Sequence, residues 1–318
     1  MKTRIGVNSL AYPEFRNLVS LPLRNYEFVR SPDIFTILSF VRRRFRRPPG
    51  ATSLYNTFHL DLGINRVKLF HFFNHISALG DPWIVTFEHY LPRWNVHSRI
   101  GLRLLAGKAC KKIIAISRFA SDHQRYFLRL HPDFMGDILS KMCLIHPAQP
   151  PLIKEYAEKG LDSEFLTFTF VGVDFFRKGG REILHVFDRL VRERYPVKLR
   201  LISSLHYGDY ASRTTEEDRR EAGAIIDRLK SNVTYYPKPA NEDVLRLLVN
   251  SHVGLLPTFD DTYGYSVLES QAAGSPVITT DVCALPEINN EQCGWVIRLP
   301  RDEFGVARRY TKEERREI

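Results

Sequence analysis

The chain has 318 residues, 44% hydrophobic and 26% charged, the balance of an ordinary globular protein, which excludes collagen-like, coiled-coil and disordered classes. At roughly 150 residues per domain this length favours two domains, and a core of that size needs no disulfide or metal staple. Lysine and arginine (46) exceed aspartate and glutamate (36), and the resulting +10 charge asks for an anionic partner: nucleic acid, phosphorylated substrate or acidic lipid surface.

The N-terminal Met-Lys-Thr-Arg-Ile-Gly is charged with no apolar run behind it, so no secretory leader is expected. The nearest approach to a membrane span, residues 34–41, falls far short of the roughly 20 apolar residues a bilayer requires. It runs into Arg42, Arg43, Arg44, Arg46 and Arg47. That pattern fits peripheral attachment to an anionic membrane surface, and equally a buried helix with a solvated basic end. A cytoplasmic protein, soluble or peripheral on the inner face of the membrane, is the expectation. Cys110, Cys143, Cys283 and Cys293 are scattered with no Cys-x-x-Cys pair, as in a reducing compartment.

Strands are predicted over residues 67–73, 83–87, 113–116 and 143–145, with amphipathic helices over 98–110 and 119–130. Pro147-Ala148-Gln149-Pro150-Pro151 is too stiff to continue either element and marks a domain boundary. The rhythm restarts with strands over 166–171, 197–202, 233–236, 253–256 and 277–280. Helices are predicted over 180–193, 216–229 (opened by a Thr214/Glu217 capping box), 242–250 and 267–273. The fold class is therefore α/β, with two doubly wound, Rossmann-like domains, 1–150 and 151–318, facing each other across a stiff hinge.

In doubly wound sheets ligands bind beyond the carboxyl ends of the strands, where helix N-termini offer free N–H groups to phosphate. Two loops of the second half fit that place. The first runs from Gly172 through Arg177, Lys178 and Gly179 to Gly180, and is readable either as a phosphate cradle or as a solvated basic turn. The second carries Asp260, Asp261, Tyr263, Gly264 and Tyr265 before a short helix bearing Glu269, with Gly274 closing it. Glu269 also completes a Ser266/Glu269 capping box, a purely structural reading of the same residue.

The second segment closely resembles the E-x7-E region of the retaining glycosyltransferases of family 4. The matching residues are Asp261, Tyr263, Gly264, Glu269, Gly274, Pro276, Val277 and Ile278, and the style continues from Asp281 to Pro286-Glu287. The resemblance is strongest from about residue 166 to 295 and weak before 67. It implies a GT-B fold, a nucleotide diphosphate sugar as donor, a glycan or lipid-linked acceptor as in polysaccharide biosynthesis, no cofactor and no metal. It further implies that Lys178 neutralises the donor diphosphate, helped by Arg177, Gly172 and the Tyr263-Gly264-Tyr265 backbone. Glu269 would hold the ribose and Asp261 the donor sugar. In the first domain, Trp83 to His89 resembles the strand after which the family places an active-site histidine, with Glu88 or His89 at that position.

The departures are Asp261 in place of glutamate, Val173 where an arginine is common, and no recognisable counterpart before residue 55. They leave open a second reading, a catalytically inactive glycosyltransferase-like protein that binds sugar nucleotide or nucleic acid; no specific nucleic-acid motif is present. His71 and His75 have no third ligand in the pattern, and Gly264-x-Ser266 lacks the closing glycine of a nucleophile elbow.

Overall fold

A computed structural model describes residues 2–10, 15–19, 23–35, 57–93, 99–209, 212–308 and 314; the basic cluster Arg42, Arg43, Arg44, Arg46 and Arg47 lies outside the described residues. The chain divides into two units, Met1–Ala148 and Gln149–Ile318.

The first unit is built on a parallel sheet of strands β1 (Thr3–Val7), β2 (Tyr26–Arg30), β4 (Leu69–Phe73), β6 (Trp83–Phe87), β7 (Cys110–Ala115) and β8 (Met142–Leu144), in the order β2-β1-β4-β6-β7-β8. The two-residue strands β3 (Phe58–His59) and β5 (Ile76–Ser77) pair separately. Phe70, Phe72, Trp83, Val85, Phe87 and Ile113 are buried together, the near-continuous apolar reading expected of a parallel sheet covered on both faces. Helix α1 (Arg99–Ala106) lays Leu102 and Leu105 on this core. Helix α2 (Arg118–Leu128) starts at Ser117, whose Oγ accepts from the Ala120 amide at 3.0 Å. Helix α3 (Pro132–Lys141) returns Lys141 to the end of α1, where its Nζ donates to the carbonyls of Leu105, Ala106 and Gly107 at 3.0, 2.7 and 2.7 Å.

The second unit has the strand order β11-β10-β9-β12-β13-β14, all parallel. Its strands are β9 (Leu166–Val171), β10 (Val197–Ile202), β11 (Val233–Tyr236), β12 (Val253–Leu256), β13 (Val277–Thr280) and β14 (Gly294–Ile297). Helices α4 (Gly180–Arg192), α5 (Glu216–Arg228), α6 (Asn241–Val249), α7 (Tyr265–Ala272) and the single turn α8 (Leu285–Ile288) connect them. After β11 the chain crosses back past β9 to form β12, so the order reverses between β9 and β12. That reversal is the topological switch point of a doubly wound sheet.

The structure corrects several expectations. Two strands before residue 55, where none was expected, join the sheet: β1 pairs with both β2 and β4. Helix α3 and strand β14 were not predicted at all. At α5 the capping box is Thr215 with Asp218, one residue beyond the Thr214/Glu217 pair. The shift brings Asp218 against Arg181, Nη1 to Oδ1 3.3 Å, satisfying a guanidinium that is itself buried. At α7 the cap is Gly264, so Ser266 and Glu269 lie inside the helix and form no capping box. Among the described residues no helix is long and apolar enough to cross a membrane.

His71 sits on β4 with its Nε2 2.9 Å from Thr86 Oγ1, and burial pushes its imidazole down to about 4. The unfolded chain therefore takes up a proton that the folded chain refuses. Its contribution to stability is present above about pH 6.5 and is lost as pH falls towards 4. Urea unfolding of the wild type should weaken more steeply between pH 6.5 and 4 than that of His71→Gln. Identical slopes in the two proteins would rule out this role for His71.

Candidate functional site

Strands β9 and β12 are direct neighbours, with Leu255 opposite Phe170, so the loops that leave them emerge side by side at the switch point. The β9 loop is held from below by Phe175 and Phe176, fully buried and edge-to-face at 4.8 Å. Its tightest contact with the β12 loop is at Gly179. Gly179 has φ +82°, and a Cβ there would lie 2.2 Å from the Pro257 carbonyl oxygen. Beside that contact the Phe259 amide donates to the Arg177 carbonyl at 3.0 Å, and Thr258 Oγ1 donates to the same carbonyl at 3.3 Å. Two loops of unrelated sequence are thereby locked as one surface.

On that surface Lys178 Nζ lies 2.6 Å from Asp261 Oδ2, with the side chains 17% and 9% exposed. Gly172 makes this possible: a Cβ there would come within 2.9 Å of Lys178 Cδ, so the missing side chain leaves room for the lysine stem across the strand end. Arg177 pairs with Asp174 and donates to the Asp260 carbonyl at 3.2 Å. Tyr263 is fully buried, its ring 5.4 Å from that of Tyr265. Gly264, at φ +92°, turns the chain into α7, and a Cβ there would strike Leu285. Glu269 follows one turn into α7 and is 4% exposed.

Gly172, Arg177, Lys178, Asp261, Tyr263, Gly264, Tyr265 and Glu269 thus all belong to the two loops at the switch point or the helix that continues one of them. Two helix N-termini, those of α4 and α7, begin in the same loops, and each supplies free N–H groups and the positive end of a dipole. Val173, where an arginine was looked for, is 69% exposed; its carbonyl accepts from Ser204 Oγ at 3.1 Å, and it contributes no cation. Asp174 and Thr258 complete the site without having stood out in the sequence. The only signal for Asp174 was its i, i+3 spacing from Arg177, and Thr258 gave none. The Cys283 thiol, 3.8 Å from Asp260 Oδ1, is pushed up to about 12 by burial and stays protonated, which removes it as a nucleophile. No group of three or more His, Cys, Asp or Glu side chains among the described residues could hold a metal ion.

Glu88 and His89 lie in the first unit, immediately after β6. The Glu88 amide donates to Asn74 Oδ1 at 3.1 Å. His89 stacks on Tyr90, ring centroids 4.1 Å apart, and its carbonyl accepts from Gln124 Nε2 at 2.9 Å. Both residues occupy the strand end.

Gly179 gives the site its sharpest mechanical test. Gly179→Ala combines left-handed strain of about 1–2 kcal/mol with overpacking of about 1–3 kcal/mol against backbone, so a loss of about 2–4 kcal/mol is expected in urea unfolding. A loss within the roughly 0.5 kcal/mol typical of surface changes would show that the loops are not locked there.

Residues 153–305 match the family model described as glycosyl transferases group 1. No curated protein sequence is significantly similar to the chain. Among solved structures, WaaG, a glycosyltransferase involved in lipopolysaccharide biosynthesis, aligns at 18% identity over 94% of this chain and 78% of its own, with a TM-score of 0.52. HepE of Anabaena, solved with UDP and glucose, aligns at 13% identity over 94% of this chain and 86% of its own, with a TM-score of 0.52. A glycosyltransferase of Rickettsia africae aligns at 12% identity over 96% of this chain and 86% of its own, with a TM-score of 0.56. Together with the two parallel sheets, these similarities show a GT-B fold, with residues 153–305 similar to the glycosyl transferases group 1 family.

Proposed function

We propose that this protein is a retaining glycosyltransferase that binds a nucleotide diphosphate sugar on its second domain, residues 151–318, and passes the sugar to a glycan or lipid-linked acceptor held by residues 1–150. The observation that carries the reading is the Lys178–Asp261 pair, placed at the switch point between two helix N-termini. Breaking a glycosyl–diphosphate bond leaves negative charge on the leaving group. Lys178, Arg177 and the helix ends are preorganised cations and dipoles that stabilise such charge without reorganising. Asp261 and Glu269 are acceptors suited to the hydroxyls of the donor sugar and the ribose. In the proposed mechanism the acceptor hydroxyl attacks from the face the diphosphate leaves, and a phosphate oxygen takes its proton, so no side-chain nucleophile is needed. Glu88 or His89 is assigned to the acceptor side. HepE was solved with UDP and starch synthase IV of Arabidopsis thaliana with ADP, which supports a nucleoside diphosphate donor here.

Isothermal calorimetry with UDP and ADP tests the donor site. A charge-assisted contact contributes about 1.5–3 kcal/mol, so Lys178→Ala should bind the preferred nucleotide about 10- to 100-fold more weakly while unfolding as the wild type does. Unchanged affinity in both Lys178→Ala and Glu269→Ala sinks the assignment. With a panel of sugar nucleotides, turnover should persist in chelator and NMR should show the anomeric configuration retained. Nucleotide binding with no turnover on any donor would favour the inactive, binding-only reading, and an absolute requirement for magnesium or manganese would overturn the metal-free mechanism.

We also infer attachment to an anionic membrane surface, from the apolar run 34–41, the five arginines after it and the +10 charge. Co-sedimentation with phosphatidylglycerol vesicles should fall sharply with salt, and with all five arginines changed to serine. Equal partitioning of wild type and variant removes this inference.

A further inference from the structure

Several buried or half-buried cations among the described residues face a carboxylate, Lys178 with Asp261, Arg177 with Asp174, Arg181 with Asp218 and Lys198 with Asp162, and others, Lys141, Lys159 and Arg200, are each held by two or more carbonyl or hydroxyl oxygens. Arg93, in the first unit, has neither arrangement: its one described oxygen partner is Gln124 Oε1. It follows β6 by way of Leu91 and Pro92, and three contacts fix it. Its backbone lies so close to α1 that a Cβ on Gly101 would come within 2.9 Å of Arg93 Cα. Its guanidinium stacks on Phe127 of α2, 3.7 Å from the ring centroid. Its Nη1 donates to Gln124 Oε1 at 3.2 Å, and the fully buried Gln124 also accepts from the Leu91 amide at 3.2 Å.

No described carboxylate reaches that guanidinium. Glu88, five residues before it, and Asp122, beside His123 on α2, form no ion pair with it. The groups that do surround it are aromatic. Tyr90, 53% exposed, has its ring centroid 5.7 Å from the guanidinium carbon. The ring of His89 backs Tyr90 at 4.1 Å with 13° between planes, and His123 meets Tyr90 edge-on at 5.6 Å. Burial holds the Arg93 guanidinium below its usual range, as expected of a cation stripped of water and given no counter-charge. A half-buried guanidinium held rigid from three sides and facing no acid is costly to the fold, and its free donors are arranged for a planar or tetrahedral oxyanion.

We propose that Arg93 binds an oxyanion carried by the acceptor saccharide, a phosphate or a carboxylate, while the sugar ring rests against the exposed Tyr90. The site extends the glycosyl-transfer reading by naming a charged class of acceptor, and it rests on that reading only for the word acceptor. The binding itself stands or falls separately.

The test is ligand-observed NMR titration of the full chain, kept saturated with UDP, using glucose 6-phosphate, glucuronate and uncharged glucose as three probes. One of the two charged sugars should bind at least tenfold more tightly than glucose, and which one does so decides between phosphate and carboxylate. Arg93→Gln should erase that preference, whereas Lys178→Ala should keep it, separating this site from the diphosphate site. Arg93→Lys keeps the charge and loses the flat fork and the stacking, so its preference should fall at least threefold; it carries the comparison should Arg93→Gln fail to fold. Charged and uncharged sugars binding alike in the wild type, or a preference that survives in the Arg93 variants, overturns the proposal. A charged-sugar preference that depends on Arg93 in a protein with no transferase activity would leave the site standing and discard the catalytic reading instead.

Discussion

The second unit's site depends on one steric fact: the chain at Gly179 passes the Pro257 carbonyl too closely to carry a side chain. The strand order brings β9 and β12 together, but adjacency of strands alone does not fix the loops that leave them. The Gly179 contact, with the two hydrogen bonds onto the Arg177 carbonyl, turns a pair of neighbouring loops into a single surface. Gly172 and Gly264 then act at its two ends, the first making room for a lysine stem and the second turning the chain into α7. The three glycines serve different purposes: close approach of backbone to backbone, clearance for a side chain, and a left-handed helix cap.

The ion pair on this surface explains how the site is kept ready without a ligand. A half-buried lysine or aspartate alone would carry a desolvation penalty; side by side at 2.6 Å they offset much of it. In the proposed reaction an incoming diphosphate offers Lys178 more negative charge than one carboxylate can. Asp261, released from the lysine, then needs hydrogen-bond donors, and sugar hydroxyls are donors. In that proposed reaction the same pair would sort the two halves of the donor, charge to Lys178 and hydroxyls to Asp261. Asp261 is one methylene shorter than the glutamate of the E-x7-E pattern, and here that shorter arm still reaches the lysine.

Much of the second unit could be read from its residues, because each of β9 to β13 is a short run rich in β-branched, aromatic and leucine residues, consecutive or alternating, bounded by turn residues or a charged helix start. Where the reading failed, the local signal was weak. Strands β1 and β2 carry Arg4, Glu27 and Arg30 within five residues each, and β14 opens on a glycine. Helix α3 contains Gly136 and follows α2 with hardly a gap. The α5 cap was misplaced because two threonines precede three acids, and only the burial of Arg181 decides which acid turns inward. The two loops of the site were legible from their glycines and charges; the pairing of Lys178 with Asp261, 83 residues apart, was not, since it follows from strand order.

Arg93 marks the opposite limit. Leu91-Pro92-Arg93 belongs to no motif, and among 46 basic residues one more arginine carries no sequence signal. What sets it apart is a relation that only three dimensions supply: contacts that immobilise it, and among the described residues no carboxylate and a single amide oxygen to answer its charge. The +10 excess is a property of the whole chain and names no site, because an exposed lysine is satisfied by water and a paired arginine by its partner. A cation held rigid, partly dry and uncompensated is where such an excess can act on one particular ligand. The two units thus keep positive charge in different ways, Lys178 paired with Asp261 and, in the proposed reaction, with the donor diphosphate, Arg93 with no carboxylate partner among the described residues.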